Sequence, residues 1–171
     1  YLNEGDGTFE PPVLFPSLGS TLVRLGDLDS DGNNDVVTFG YLPYSVESLH
    51  IFWGTGNDIE ENPDSYECQI ARECMWGLDT WATEMKLADL TGNGLLDVVV
   101  SVYGNRDDCS NDTAIALLRN LGNRQFSETV EWILREDGGQ FNAHYCDFDI
   151  AYLNGDSLLD LGVAWPYSGG I

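Results

Sequence analysis

The run Asp27-Leu28-Asp29-Ser30-Asp31-Gly32-Asn33-Asn34-Asp35 sets acids at the first, third, fifth and ninth positions of a loop, with glycine at the sixth. Hard cations such as calcium take about six to eight oxygen ligands, and a short loop supplies them by wrapping around the ion. Glycine suits the sharp turn this wrapping requires. Four carboxylates crowded together repel one another unless a cation sits among them. The spacing therefore assigns Asp27, Asp29, Asp31 and Asp35 as side-chain ligands of Ca2+, with the backbone carbonyl of Asn33. The loop is shorter than an EF-hand and lacks its twelfth-position Glu. A second loop offers Asp89, Thr91, Asn93 and Asp97 with the Leu95 carbonyl, and its two carboxylates predict lower affinity. In a third, Tyr152 stands where the first acid belongs, leaving Asn154, Asp156 and Asp160 as a weak set. Asx- and Gly-rich loops also close as tight turns without any ion, a reading that gains ground from the first loop to the third.

Catalytic chemistry has little to stand on. No G-x-S-x-G elbow is present, and no glycosidase pair stands out among the 29 acids. His50 and His144 read as structural or surface residues in strands. The expectation is a protein that is not an enzyme, with no catalytic residue to name. Cys68, Cys74, Cys109 and Cys146 match no zinc-ligand spacing, and the even set favours disulfides. Asn111-Asp112-Thr113 is a glycosylation acceptor sequence.

The three acidic loops begin at positions 27, 89 and 152, so the chain repeats at intervals of 62 and 63 residues. A second element recurs between them, at residues 1–9, 51–57 and 117–126. Short segments rich in branched and aromatic residues, bounded by Gly, Asn, Asp or Pro, predict strands over 21–25, 35–39, 49–53, 84–88, 96–103, 114–119, 129–134, 144–148 and 159–165. No convincing helical stripe appears, although 67–76 has room for one helical turn. The predicted fold is all-β: antiparallel four-stranded β-propeller blades in about three repeats of roughly 62 residues, an incomplete propeller. One propeller segment spans 1–171. Within it, 1–20 closes a preceding blade, 21–82 is the first repeat, 83–142 the second, and 143–171 a partial third.

Composition narrows the function classes. The 171 residues carry 29 acids against 7 Lys and Arg, a formal charge of −22. That charge opposes nucleic-acid binding, which needs a basic footprint, and opposes attraction to anionic membranes. With 43% hydrophobic and 12% aromatic residues, the chain is no disordered acidic tail. No apolar window is long enough to span a membrane, and the opening residues do not read as a signal peptide.

The chain resembles the FG-GAP/VCBS repeat family, the calcium-loop blades of integrin-alpha-type propellers. The residues that carry the likeness are 27–35, 89–97, the loose FG…P element Thr38-Phe39-Gly40-Tyr41-Leu42-Pro43, and the turn from Leu2 to Phe9. The resemblance covers nearly the whole chain and is specific to the repeat, not to an activity. It implies a propeller, commonly seven-bladed, in secreted or cell-surface proteins used for adhesion, carbohydrate handling or assembly.

Blade topology predicts that the calcium loops and Gly-Asn turns share one face. The connections 41–48, 60–82, 104–113 and 136–143 then share the other, with all four cysteines at or near it. Cys68–Cys74 suits a local bridge and Cys109–Cys146 a staple between blades, with cross-pairing left open. Tyr66, Trp76 and Trp81 offer either loop packing or a surface for sugars or a partner chain. Fewer than three blades cannot close alone, so the expected partners are the rest of a longer chain or further copies of this one, joined by strand addition. The leading functional expectation is an extracellular, calcium-rigidified structural or adhesive segment. The alternative is part of a carbohydrate-binding or polysaccharide-degrading protein.

Overall fold

A computed structural model of the chain describes residues 4–12, 14, 20–41, 47–56, 58–67, 80–105, 111–127, 131–136 and 147–164. These residues hold strands and turns and no helix, so none is long and apolar enough to cross a membrane. The architecture is all-β and antiparallel. The first sheet runs in chain order through β1 (Ser20–Gly26), β2 (Asp35–Tyr41), β3 (Glu47–Phe52) and β4 (Asp64–Glu67). A second four-stranded sheet pairs β5 (Thr80–Ala88), β6 (Asp97–Asn105), β7 (Asn111–Leu118) and β10 (Glu131–Glu136) in the same successive manner. A small hairpin of β8 (Asn120–Gly122) and β9 (Gln125–Phe126) sits between β7 and β10. The two-stranded pair β11 (Asp147–Ala151) and β12 (Asp160–Ala164) follows.

Side-chain alternation explains which faces meet. In the first sheet Arg24 pairs with Val37 and Val37 with Ile51, while Phe39 pairs with Leu49, so Val37, Phe39, Leu49 and Ile51 share one face. That face packs on Met85, Val98, Val100, Ala116 and Leu118 of the second sheet to form the main core. The opposite face of the second sheet, with Val99, Ile115 and Leu117, packs on Phe148, Ile150 and Leu161 of the β11–β12 pair. Strand β6 is therefore covered on both sides, which is why it reads as a near-continuous valine run. The first strands also line up from unit to unit, with β1 beside β5 and β5 beside β11.

Several expected boundaries shift. The connection over 60–82 contains a strand, β4, that hydrophobic patterning does not reveal. Its sequence Asp-Ser-Tyr-Glu has one apolar residue, and it is held by pairing with β3 and by side-chain bonds from His50 to Ser65 (2.9 Å) and Trp53 to Asp64 (2.7 Å). Strands likewise extend into the connections 41–48 and 104–113, leaving only 42–46 and 106–110 between them. Asn111, expected in a loop, opens β7 opposite Asn105. The described residues 4–12 and 14 form no strand, and Glu4 N–H closes a turn on the Thr8 carbonyl at 3.1 Å. Cys68, Cys74, Cys109 and Cys146, and with them the bridges and the helical turn expected over 67–76 beyond Glu67, lie outside the described residues, as do Trp76 and His144.

Candidate metal centre

All three acidic loops join the first strand of a unit to its second, and all three turn through left-handed residues at their fourth and sixth positions. These are Ser30 (φ 61°) and Gly32 (90°), Gly92 (71°) and Gly94 (84°), and Gly155 (81°) and Ser157 (67°). Asp27 at the first position accepts N–H bonds from Asp31 (3.1 Å) and Gly32 (2.9 Å). Asp89 does the same for Asn93 (3.0 Å) and Gly94 (2.8 Å). The fifth-position side chain accepts from the seventh-position N–H in each loop: Asp31 from Asn33 (2.8 Å), Asn93 from Leu95 (2.9 Å) and Asp156 from Leu158 (2.9 Å). In the third loop Asn154 adds an N–H bond from Asp156 at 2.9 Å, while Tyr152 points no acid at the turn and is 66% exposed.

The ninth-position aspartate is a clasp. Asp35, fully buried, accepts Leu28 N–H on Oδ2 and Gly54 N–H on Oδ1, both at 2.8 Å. Asp97 is equally buried and accepts Leu90 N–H and Thr91 N–H at 3.1 Å on Oδ2 and Asn120 N–H at 2.9 Å on Oδ1. One carboxylate thus ties the start of its loop to the chain just beyond the third strand. Gly54 permits the close approach, because a Cβ there would lie 2.3 Å from the Asn34 carbonyl oxygen. Asp160 repeats the first half of the clasp, accepting Leu153 N–H at 2.8 Å. Burial pushes the Asp35 carboxyl above the usual carboxylate range, against the two backbone bonds that pull it down, and the nearby Asp29 and Asp31 push it further up. Asp31 moves the other way, held low first by the Asn33 N–H.

Oxygens of Asp27, Asp29 and Asp35 lie within 4.8 Å of one another. Calcium–oxygen bonds run about 2.3–2.6 Å, so oxygens on opposite sides of one ion stand about 5 Å apart. The three aspartates fit a common hard cation on both counts, donor type and span. Asp31, expected among the ligands, is not brought into this group, and its carboxylate caps Asn33 instead. In the second loop Thr91 Oγ1, at the position of Asp29, is buried with no hydrogen-bond partner. Acidic pairs with basic residues also bridge the units: Arg24 with Glu84, and Lys86 with Asp149 at 3.2 Å.

Two further residues gather at the first loop that spacing alone does not flag. Asn120, buried, donates from Nδ2 to the Leu28 carbonyl (2.7 Å) and the Leu96 carbonyl (3.1 Å), and its own carbonyl accepts from Asn93 Nδ2 (2.9 Å). Arg124 reaches Asp29 at 2.8 Å, and its guanidinium lies 4.7 Å above the Trp53 ring. The only signal for Arg124 in the sequence is its place after Asn123, where hairpin turns favour glycine. Tyr66, expected as packing or as a sugar surface, is packing: its ring meets Phe126 edge-on at 5.3 Å and its hydroxyl bonds the Arg124 carbonyl. His50 is a buried structural residue, its proton affinity lowered by burial.

Compared with known protein families, with curated proteins and with solved structures, the chain matches none.

Proposed function

We propose that the chain is a non-enzymatic segment of an extracellular β-propeller, built of blades like those of the FG-GAP/VCBS repeats, in which calcium bound by the acidic loops rigidifies a structural or adhesive scaffold. The observation that carries this reading is the convergence of Asp27, Asp29 and Asp35 within 4.8 Å on a loop whose backbone plan recurs at 89–97. A bound dication would relieve the repulsion that otherwise strains such a group. Asp27, Asp29 and Asp35 would hold the ion at the first loop, and Asp89, Asn93, Thr91 and Asp97 at the second. The succession β1–β5–β11 supports a radial order of blades around inner first strands. Exposure at one end supports a further blade, from another copy or a longer chain. Val23 and Leu25 are 54% and 65% exposed, whereas Met85 and Leu87, one repeat on, pack against the first sheet.

Calorimetric melting in calcium and in chelator tests the proposal. At calcium a hundredfold above its dissociation constant, one site adds about 2.7 kcal/mol, a rise of roughly 5–10 °C for a chain of this size. Asp27→Ala removes most of that rise. Equal melting temperatures in calcium and chelator would overturn the reading.

A further inference from the structure

The two-residue turn of the β8–β9 hairpin is Asn123-Arg124, with φ of 53° and 59°. Turns of this kind need positive φ at both central residues and favour glycine at the second. A long side chain there carries left-handed strain, which persists only where surrounding contacts hold it. Those contacts all belong to the first unit. Arg124 Nε donates to Asp29 Oδ2 at 2.8 Å and Nη1 to Glu60 Oε1 at 2.9 Å. The guanidinium stacks on Trp53, and the Arg124 carbonyl accepts the Tyr66 hydroxyl at 2.7 Å. Asp29 is one of the three aspartates that converge in the first loop, whereas its counterpart in the second loop is the neutral Thr91.

We infer that Arg124 is a built-in counter-cation of the first loop: it clamps the β8–β9 hairpin of the second unit onto that loop, and a divalent ion entering the loop competes with it for Asp29. The competition rests on the cation reading above; the clamp does not. A guanidinium beside Asp29 already neutralises part of the carboxylate charge, and a dication arriving next to it meets like charge. Cation loading and docking of the hairpin are therefore opposed at the first loop.

Arg124→Gly separates a clamp from a mere turn residue, because glycine relieves the left-handed strain. In the full chain with chelator and low salt, the variant is expected to melt several degrees lower, with the gap narrowing in high salt as the ion pairs are screened. Calcium titration is expected to give a dissociation constant about three- to fivefold lower than wild type. Arg124→Asn, which removes the same cation and also tolerates the left-handed conformation, moves both readouts the same way and serves if the glycine variant does not fold. Melting at or above wild type in chelator overturns the clamp. A lower melting temperature with calcium binding no tighter overturns the competition. Absence of calcium binding by both wild type and variant overturns the cation reading, and the competition with it, while the melts still decide the clamp.

Discussion

Asp35 and Asp160 occupy the same station in the first and third loops, and each accepts the N–H seven residues before it at 2.8 Å. Their surroundings diverge from there. Asp35 is fully buried and also accepts Gly54 N–H, and Leu28 beside it is 1% exposed within the core between the two large sheets. Among the described residues Asp160 has only Asn154 Nδ2 at 3.4 Å on its other oxygen, and Leu153, in the place of Leu28, is 68% exposed. The shared backbone plan shows that the turn closes on its own Asx and clasp bonds. The two stations differ in burial and in the first residue of the loop, Asp27 against Tyr152, and the aspartates that converge are those of the first loop.

The largest effect that could break this comparison lies in the clasp. Asp35→Ala strands two buried N–H groups and is expected to cost about 3 kcal/mol or more, against about 1 kcal/mol for Asp160→Ala, measured by urea unfolding in chelator. Equal losses would show that burial by the neighbouring sheet contributes nothing to the clasp. Next in size is the first position. Tyr152→Asp supplies the missing acid, and calorimetric titration is expected to show one more calcium equivalent than wild type. No added equivalent would mean that the third loop lacks something beyond that acid.

A pH effect follows from burial of Asp35. Its carboxyl titrates above the usual range, so its contribution to stability is complete below the unfolded value of about 4 and is lost as pH rises through the elevated folded value. In chelator, Asp35→Asn is expected to remove that part of the decline. An unchanged pH profile in the variant would place the cause elsewhere. The smallest expected effect concerns strain. Ser30→Gly and Ser157→Gly put glycine where Gly92 and Gly155, and Gly32 and Gly94, already stand, and each is expected to add about 1 kcal/mol in thermal melts. A loss of stability at either position would mean that the serine side chain supports its loop.

Much of the fold was legible because its signals are local. The alternation in β1 and the valine run of β6 announce strands, and the glycines of the second loop announce left-handed turns. Strand β4 was not legible, since pairing with β3 rather than patterning makes it a strand. At the first loop the spacing nominates Asp27, Asp29, Asp31 and Asp35 alike, and only the structure shows oxygens of Asp27, Asp29 and Asp35 lying together while the Asp31 carboxylate turns to Asn33. Arg124 and Asn120 escaped because their partners lie 95 and 92 residues away in the chain.

By itself the amino-acid sequence determined the repeat, the strand-forming segments and the turn chemistry of each loop, because the first two are written in local residue pattern and the loop turns close on bonds between residues fewer than ten positions apart. Tertiary structure alone decided which loop is buried, which aspartates converge and which receives an arginine. Those outcomes depend on the sheet that packs alongside, and burial is what turns an ordinary carboxylate into a clasp.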